Sequence, residues 1–268
     1  MSYWLLVFPN VLFIFLIFLF LYNKLKLPKS CFYREAIIAV FVSSIIDIAI
    51  VMHGSNPTVI FFLNIFALFI SIIGVILLRF YRDPERQFHG DKNIIVSPAD
   101  GRVIYIRKVE KGIIPTSIKG KANIRLDEIA ATSILDTDCW LIGISMSILD
   151  VHVNRAPTEG EIVLIKHCAG KFMSLKLPDS CSQNERNIIV IKNGNRLIGV
   201  IQIASRMVRR IKTCVEEKQL VRRSDKIGKI VFGSQVDIIL PTEARLLIRE
   251  GYPVYAGLTP IATMSPTY

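Results

Sequence analysis

Three long apolar runs open the chain, and short Val/Ile-rich runs separated by turns fill the rest of it. WLLVFPNVLFIFLIFLFLY (4–22) and TVIFFLNIFALFISIIGVILL (58–78) are each long enough to span a hydrocarbon layer. Between them AIIAVFVSSIIDIAIVM (36–52) is shorter and carries Asp47. An acid near a helix centre costs about 2.5–3.5 kcal/mol on insertion, which the neighbouring Ile and Val offset. No basic residue precedes the first run and no small-residue cleavage site follows it, so a removable signal peptide is not expected. Lys24, Lys26, Lys29 and Arg34 follow the first run, Arg79, Arg82 and Arg86 follow the third, and the HGSNP turn between the second and third has no Lys or Arg. Three crossings put both basic clusters on one side, whereas two would split them. The pattern predicts an N-terminal three-helix transmembrane anchor over 1–78, with spans at 4–22, 36–52 and 58–78. It implies a multi-pass protein of the cell membrane whose following domain, 79–268, is cytoplasmic.

From residue 79 onward the period shortens. NIIVSPADGRVIYIRK (93–108), CWLIGISMS (139–147), DVHVNRAP (150–157), GEIVLIKH (160–167), NIIVIKNGNRLIGVIQIA (187–204), KIGKIVF (226–232), QVDIIL (235–240) and ARLLIREGYPVYAG (244–257) read as strands. Ala-Asp-Gly, Asn-Gly-Asn and Glu-Gly-Tyr-Pro supply turns among them. SRMVRRIKTCVEE is the best helical pattern in this part. Strands at short spacing favour a mainly β fold, an antiparallel sandwich or barrel-like domain, over a doubly wound α/β sheet.

Composition sharpens this picture. The 268 residues are 51% hydrophobic, with a net charge of +11. That charge suits nucleic acid, an anionic membrane surface or an acidic substrate, and the apolar first third makes the membrane the expected partner rather than nucleic acid. Cys31, Cys139, Cys168, Cys181 and Cys214 are scattered, with no CxxC pair, and read as reduced, mostly buried thiols.

Candidate chemistry begins at Gly233-Ser234, a weak point inside the apolar run KIGKIVFGSQVDIILP. One reading is a turn or bulge; the other is a serine hydroxyl set against the carbonyl upstream of it, where backbone strain favours an N-to-O acyl shift. Such a shift needs a base, and of four histidines His152, between β-branched residues in DVHVNRAP, is the best placed. Asp100 in SPADG is either a turn former or the group that orients His152 in a Ser–His–Asp set. Arg206, Arg209, Arg210 and Lys212 form one basic run, and Arg222, Arg223, Lys226 and Lys229 another. Each is a solvated surface or a patch that meets lipid phosphate and carboxylate, worth about 1 kcal/mol per residue near an anionic leaflet.

FYRDPER, SPADG, MSILDVHVNRAP, NERN, VIQIASRMVRRI and KIGKIVFGSQVDIILP, in that order, resemble the phosphatidylserine decarboxylase proenzyme family, and most closely its short membrane-anchored branch, which includes archaetidylserine decarboxylases. The resemblance covers nearly all of 79–257. It implies self-cleavage between Gly233 and Ser234, with His152 and Asp100 as the processing residues. The smaller chain would carry a pyruvoyl group made from Ser234 and stay associated with the larger one as a heterodimer; a homo-oligomer is left open. The pyruvoyl group is then the cofactor, with no metal and no pyridoxal phosphate. Its ketone takes up the serine amine of a membrane phospholipid, and His152 protonates the carbanion left by carbon dioxide. Arg209 and Arg210 are candidates for the substrate's anionic groups. Gln235 and Ile148 depart from FGSR and MSP-x-D, which family members of this branch often carry.

Two other readings remain at this point. A membrane-anchored zinc peptidase needs paired histidines, and DVHVNR has one. A catalytically silent, membrane-tethered β-domain that binds lipid predicts an intact chain that tolerates Ser234→Ala.

Overall fold

The computed structural model describes residues 57–119, 122–126, 133–168, 185–204, 211–230 and 235–265, with isolated positions before 57. The chain divides into two compact units, Met1–Tyr81 and Arg82–Tyr268. In the first, helix α1 runs Pro57–Tyr81, over the third apolar run. The first two runs, 4–22 and 36–52, fall largely outside the described residues. Among the residues described in full, no helix is long and apolar enough to cross a membrane. The expected three-helix anchor is therefore not supported among the described residues, where the spans expected at 4–22 and 36–52 cannot be followed.

The second unit is built from strands. They are β1 Ile94–Val96, β2 Gly101–Val109, β3 Thr116–Lys119, β4 Ala122–Arg125, β5 Cys139–Ser145, β6 Val153–Arg155, β7 Gly160–Cys168 and β8 Arg186–Asn193. There follow β9 Arg196–Ile203, β10 Ile211–Thr213, β11 Leu220–Val221, β12 Lys226–Ile230, β13 Gln235–Pro241, β14 Arg245–Leu246, β15 Pro253–Val254 and β16 Pro260–Thr263. Eight of them form one sheet in the order β11-β7-β8-β9-β13-β5-β2-β15, and two three-stranded sheets have the orders β10-β12-β6 and β1-β16-β14. Strands β3 and β4 pair as a hairpin. The described pairings are antiparallel, so the mainly β expectation holds.

Both faces of the large sheet are covered. On one face Ile144, Val200, Val236 and Ile238 pack with Ile211, Ile227 and Ile230 of the β10-β12-β6 sheet and with Ile95 and Ile261 of β1 and β16. On the other, Leu141, Ile188, Ile201 and Ile239 pack with Leu126, Ile134 and Leu135. A strand covered on both faces needs apolar residues at successive positions, which is why β13 reads as a continuous run. Each such Ile or Val contributes about 1.5–3 kcal/mol of burial.

Several expected strands are cut shorter. The run 93–108 breaks at SPADG into β1 and β2, because Ser97 Oγ bonds back to Ala99 O at 2.7 Å and bends the chain. The run 187–204 folds at Asn193-Gly194-Asn195-Arg196 into the hairpin β8–β9. The helical reading of SRMVRRIKTCVEE is corrected where it can be followed: Ile211–Thr213 is strand, paired to Ile230–Gly228 of β12. A partner strand contributed by another segment overrides a weak local period. Of the three described cysteines, all free, Cys139 is buried, Cys168 intermediate and Cys214 exposed, so the expected burial holds for only one.

Candidate active site

Asp100 sits where β1 gives way to β2. The next residue, Gly101, has φ +145°, and a Cβ on it would lie 2.2 Å from Ser145 O of β5, so glycine is required for the two strands to close up there. That closure buries the Asp100 side chain to 2% exposure. The carboxylate is held by both guanidinium nitrogens of Arg86, Nη2 at 2.9 Å from Oδ2 and Nη1 against Oδ1. The Ala256 N–H donates to Oδ1 at 2.8 Å, and Arg86 Nη1 donates to Ala256 O at 2.9 Å. The turn-former reading of Asp100 does not account for this; the side chain is one half of a buried, bidentate ion pair.

His152 precedes β6 and is fully buried. Its Nδ1 is 2.8 Å from Asp150 O. A carbonyl can only accept, so Nδ1 carries the proton and Nε2 the lone pair. Burial pulls the ring's pKa down to about 4, with Lys229 acting in the same direction, while the Asp150 carbonyl and the charge of Asp100 push it up. The imidazole is therefore neutral at pH 7 and able to accept a proton. Asp100 acts on it through charge, and the hydrogen bond at Nδ1 is to Asp150 O.

Strand register shows what surrounds this pair. The Ile230 N–H donates to His152 O at 3.1 Å, so the end of β12 lies beside the histidine. β13 starts at Gln235, opposite both Ser145 of β5 and Ile203 of β9, and Ser145 is in turn opposite Arg102 of β2. Gly233 and Ser234 lie in the link from β12 to β13, outside the described residues, as do Arg209 and Arg210.

Sequence reasoning missed two polar constructions. Arg155, 3% exposed, donates to Ser224 O and Pro84 O at 2.7 Å each and meets Asp83 at 3.2 Å. Arg86 and Asp83 both come from FYRDPER, so that motif strings one buried ion pair to SPADG and one half-buried ion pair to VNRAP. The second construction is a row of amides. Asn187 Nδ2 donates to Thr213 Oγ1 at 3.2 Å and to Gln202 Oε1 at 2.9 Å, and Gln202 Nε2 donates to Asn154 Oδ1 at 2.8 Å. All three amides are fully buried. The readable signal was a lone polar residue inside an apolar strand, Gln202 in VIQIA and Asn187 in NIIVI. Gly228, opposite Asn154 on β12, leaves room for the row; a Cβ there would be 2.5 Å from Gln202 Nε2.

Two of the four basic residues at 222–229 are occupied. Arg223 donates to Asp91 O at 2.7 Å and Lys92 O at 2.9 Å, and Lys226 pairs with Asp83 at 2.6 Å. With Arg86 and Arg155 these residues line a cleft of about 830 Å³. Among the described residues no group of three or more His, Cys, Asp or Glu is placed to hold a metal ion, so the zinc-peptidase reading gains no donor set.

A buried neutral base that feels the charge of a buried carboxylate is an arrangement suited to proton transfer. The chain belongs to the phosphatidylserine decarboxylase family, whose pattern it matches over residues 73–262. It is 40% identical over 197 residues to a Methanocaldococcus jannaschii protein named "Putative archaetidylserine decarboxylase proenzyme", covering 74% of this chain and 94% of that one. It is 35% identical over 185 residues to a phosphatidylserine decarboxylase proenzyme of Syntrophus aciditrophicus, 69% of this chain and 78% of that one. A phosphatidylserine decarboxylase proenzyme of Chlorobium phaeobacteroides is 30% identical over 235 residues, 88% and 93% of the two chains.

Proposed function

We propose that this decarboxylase acts on the serine headgroup of a membrane phospholipid, phosphatidylserine or archaetidylserine, releasing carbon dioxide and leaving the ethanolamine lipid. It makes its own electrophile by breaking the Gly233–Ser234 bond. The observation that carries this reading is His152: a buried neutral base whose partner strand β12 leads into that bond.

In the first step the Ser234 hydroxyl adds to the Gly233 carbonyl carbon while His152 Nε2 takes the hydroxyl proton. The carbon–nitrogen bond then breaks and the proton passes to the freed amine, leaving an ester. Loss of the α-proton of residue 234 expels the Gly233 carboxylate and leaves dehydroalanine. Its imine tautomer reacts with water, ammonia departs, and a pyruvoyl group heads a chain of residues 234–268. Ile230 and Val236, at the ends of the two strands on either side of residues 231–234, are fully buried in the apolar core, and such surroundings with the neutral ring of His152 suit an uncharged ketone. When formed, the group supplies an electron sink for the pair left behind by carbon dioxide.

The chain's own residues do the rest. His152 returns a proton to the carbon that lost carboxylate, and the Arg86–Asp100 pair holds a fixed charge near the ring. Arg209 and Arg210 meet the phosphate and carboxylate of the substrate. The apolar segment before residue 79 keeps the catalytic unit at the lipid surface, and the two cleavage products stay together because β12 and β13 both belong to one core.

Mass spectrometry of purified chain tests the reading. The expected result is a fragment ending at Gly233 and a second one blocked by a ketone at position 234, with Ser234→Ala remaining whole. An unmodified seryl residue at 234 in material that decarboxylates lipid would sink the mechanism. A silent lipid-binding module would give an intact wild-type chain and no carbon dioxide.

A further inference from the structure

We propose that Asp150 is a positioning residue for the base: its carboxylate locks the turn Ser147–Asp150, whose last carbonyl keeps the proton of His152 on Nδ1. This deepens the reading of His152 as the base of self-cleavage and rests on it.

Residues 147–150 form a turn tied at two points. The Asp150 N–H donates to Ser147 O at 3.0 Å, and the Ser147 N–H donates to Asp150 Oδ2 at 2.6 Å. The first bond closes a four-residue turn, and neither Ile148 nor Leu149 has a positive φ, so the turn is type I. The second bond brings the side chain of the last residue back to the main chain of the first. From this doubly tied residue the carbonyl, Asp150 O, meets His152 Nδ1 at 2.8 Å. In a neutral histidine the partner of one ring nitrogen decides where the proton sits. Here the carbonyl takes the Nδ1–H, and Nε2 is left as the basic atom. A separate bond, from the Ile230 N–H to His152 O at 3.1 Å, holds the main chain of the histidine, so the turn has only the ring to set.

The carboxylate works through the turn rather than through its charge. The charges that act on the ring are those of Asp100 and Lys229, whereas Asp150 acts through its main-chain carbonyl. An amide oxygen at position 150 could accept from the Ser147 N–H as the carboxylate does; a methyl group could not. The middle of the turn gives a second, independent handle. Proline suits the second place of a type I turn because its ring presets φ at about −65°. Ile148 holds that place, and its main-chain N–H donates to no group among the described residues. Ile148→Pro therefore stiffens the turn without removing a hydrogen bond.

The ring is read first in the full chain carrying Ser234→Ala, which presents the site before any cleavage. Its four histidines are labelled with nitrogen-15, and loss of a signal in His152→Gln assigns the ring. The expected result is one neutral tautomer, protonated on Nδ1 and bare on Nε2, which Asp150→Ala turns into a mixture. With Ser234 intact, Asp150→Ala should slow self-cleavage at least about 10-fold on a denaturing gel at pH 7. Asp150→Asn should keep the tautomer and cleave within about threefold of wild type. Adding Ile148→Pro to Asp150→Ala should recover most of the rate and the single tautomer. A variant that merely folds less well keeps the ring signals in its folded fraction. A ring protonated on Nε2 in the parent chain overturns the proposal, as does a single unchanged tautomer in Asp150→Ala. So does Asp150→Asn cleaving as slowly as Asp150→Ala, since charge would then be at work, or Ile148→Pro restoring nothing. Should Asp150→Ala lose its fold, Asp150→Glu decides by the same criteria: it keeps the charge, moves the acceptor by one methylene and should give mixed tautomers and slow cleavage. An uncut wild type would count against the self-cleavage reading itself, while the tautomers of the uncleaved chain still judge this one.

Discussion

His152 is buried as the neutral form, and that has consequences for both rate and stability. An exposed histidine base loses its lone pair near pH 6.5, whereas this one keeps it down to about pH 4. Self-cleavage of the wild type should hold its rate from pH 7 to near 5 and fall only as pH approaches 4, measured by gel on buffered samples; a fall centred at 6.5 would place the base elsewhere. For stability, the folded ring has the lower pKa, so between pH 6.5 and 4 the unfolded chain binds a proton that the folded chain does not. Stability therefore rises with pH across that window, and up to about 3 kcal/mol is lost on acidification. Denaturant unfolding of Ser234→Ala should show this slope, and adding His152→Gln should flatten it. The buried pair beside the ring has a different weakness. Arg86→Leu leaves Asp100 without its guanidinium in a site 2% exposed, and removal of one partner of a buried pair costs about 3–5 kcal/mol. The same unfolding experiment reads that loss.

At the scale of elements, the junction of β2 and β5 is the point of least tolerance. Gly101→Ala would push a methyl into the Ser145 carbonyl at a φ that side chains avoid. We expect a loss of more than about 2 kcal/mol and impaired cleavage, because Asp100 moves with its neighbour. A conservative change on the exposed side of β2, Ile104→Val, should cost under about 1 kcal/mol. These contrasts also explain what could be read in advance. β5, β8, β9 and β13 were legible because their Ile and Val runs are buried by sheet packing, and β7 was legible from its Ile and Val content although only Ile162 in it is buried. β3 and β4 were not: TSIK and ANIR hold no apolar run, and they are strands because they pair with each other. β10 was read as helix because its partner, β12, lies 15 or more residues downstream. Of the candidate residues, Asp100 and His152 were singled out by their motifs, and the structure shows both to be buried. Arg86 and the amide row were not singled out, because each unites residues from separate motifs that only the fold brings together.

For the whole molecule, the division into two units sets the last expectation. Among the described residues, both apolar clusters consist of residues between 95 and 264, all within the second unit, as are His152 and Asp100. A chain beginning at residue 79 should therefore fold and cut itself at the wild-type rate. Its turnover of lipid should depend on how the lipid is presented. With a short-chain serine phospholipid dispersed in detergent, the truncated and full chains should match within about twofold. With the same headgroup in vesicles, the truncated chain should fall at least about tenfold behind, since it must find the surface at every encounter, whereas a tethered enzyme works at high effective concentration. Arg209→Gln with Arg210→Gln in the full chain should show a different pattern, slower turnover in both presentations with self-cleavage untouched. If the truncated chain fails to cleave, the apolar segment is part of the catalytic fold rather than a tether. If it cleaves and keeps pace on vesicles, the catalytic unit carries its own membrane contact.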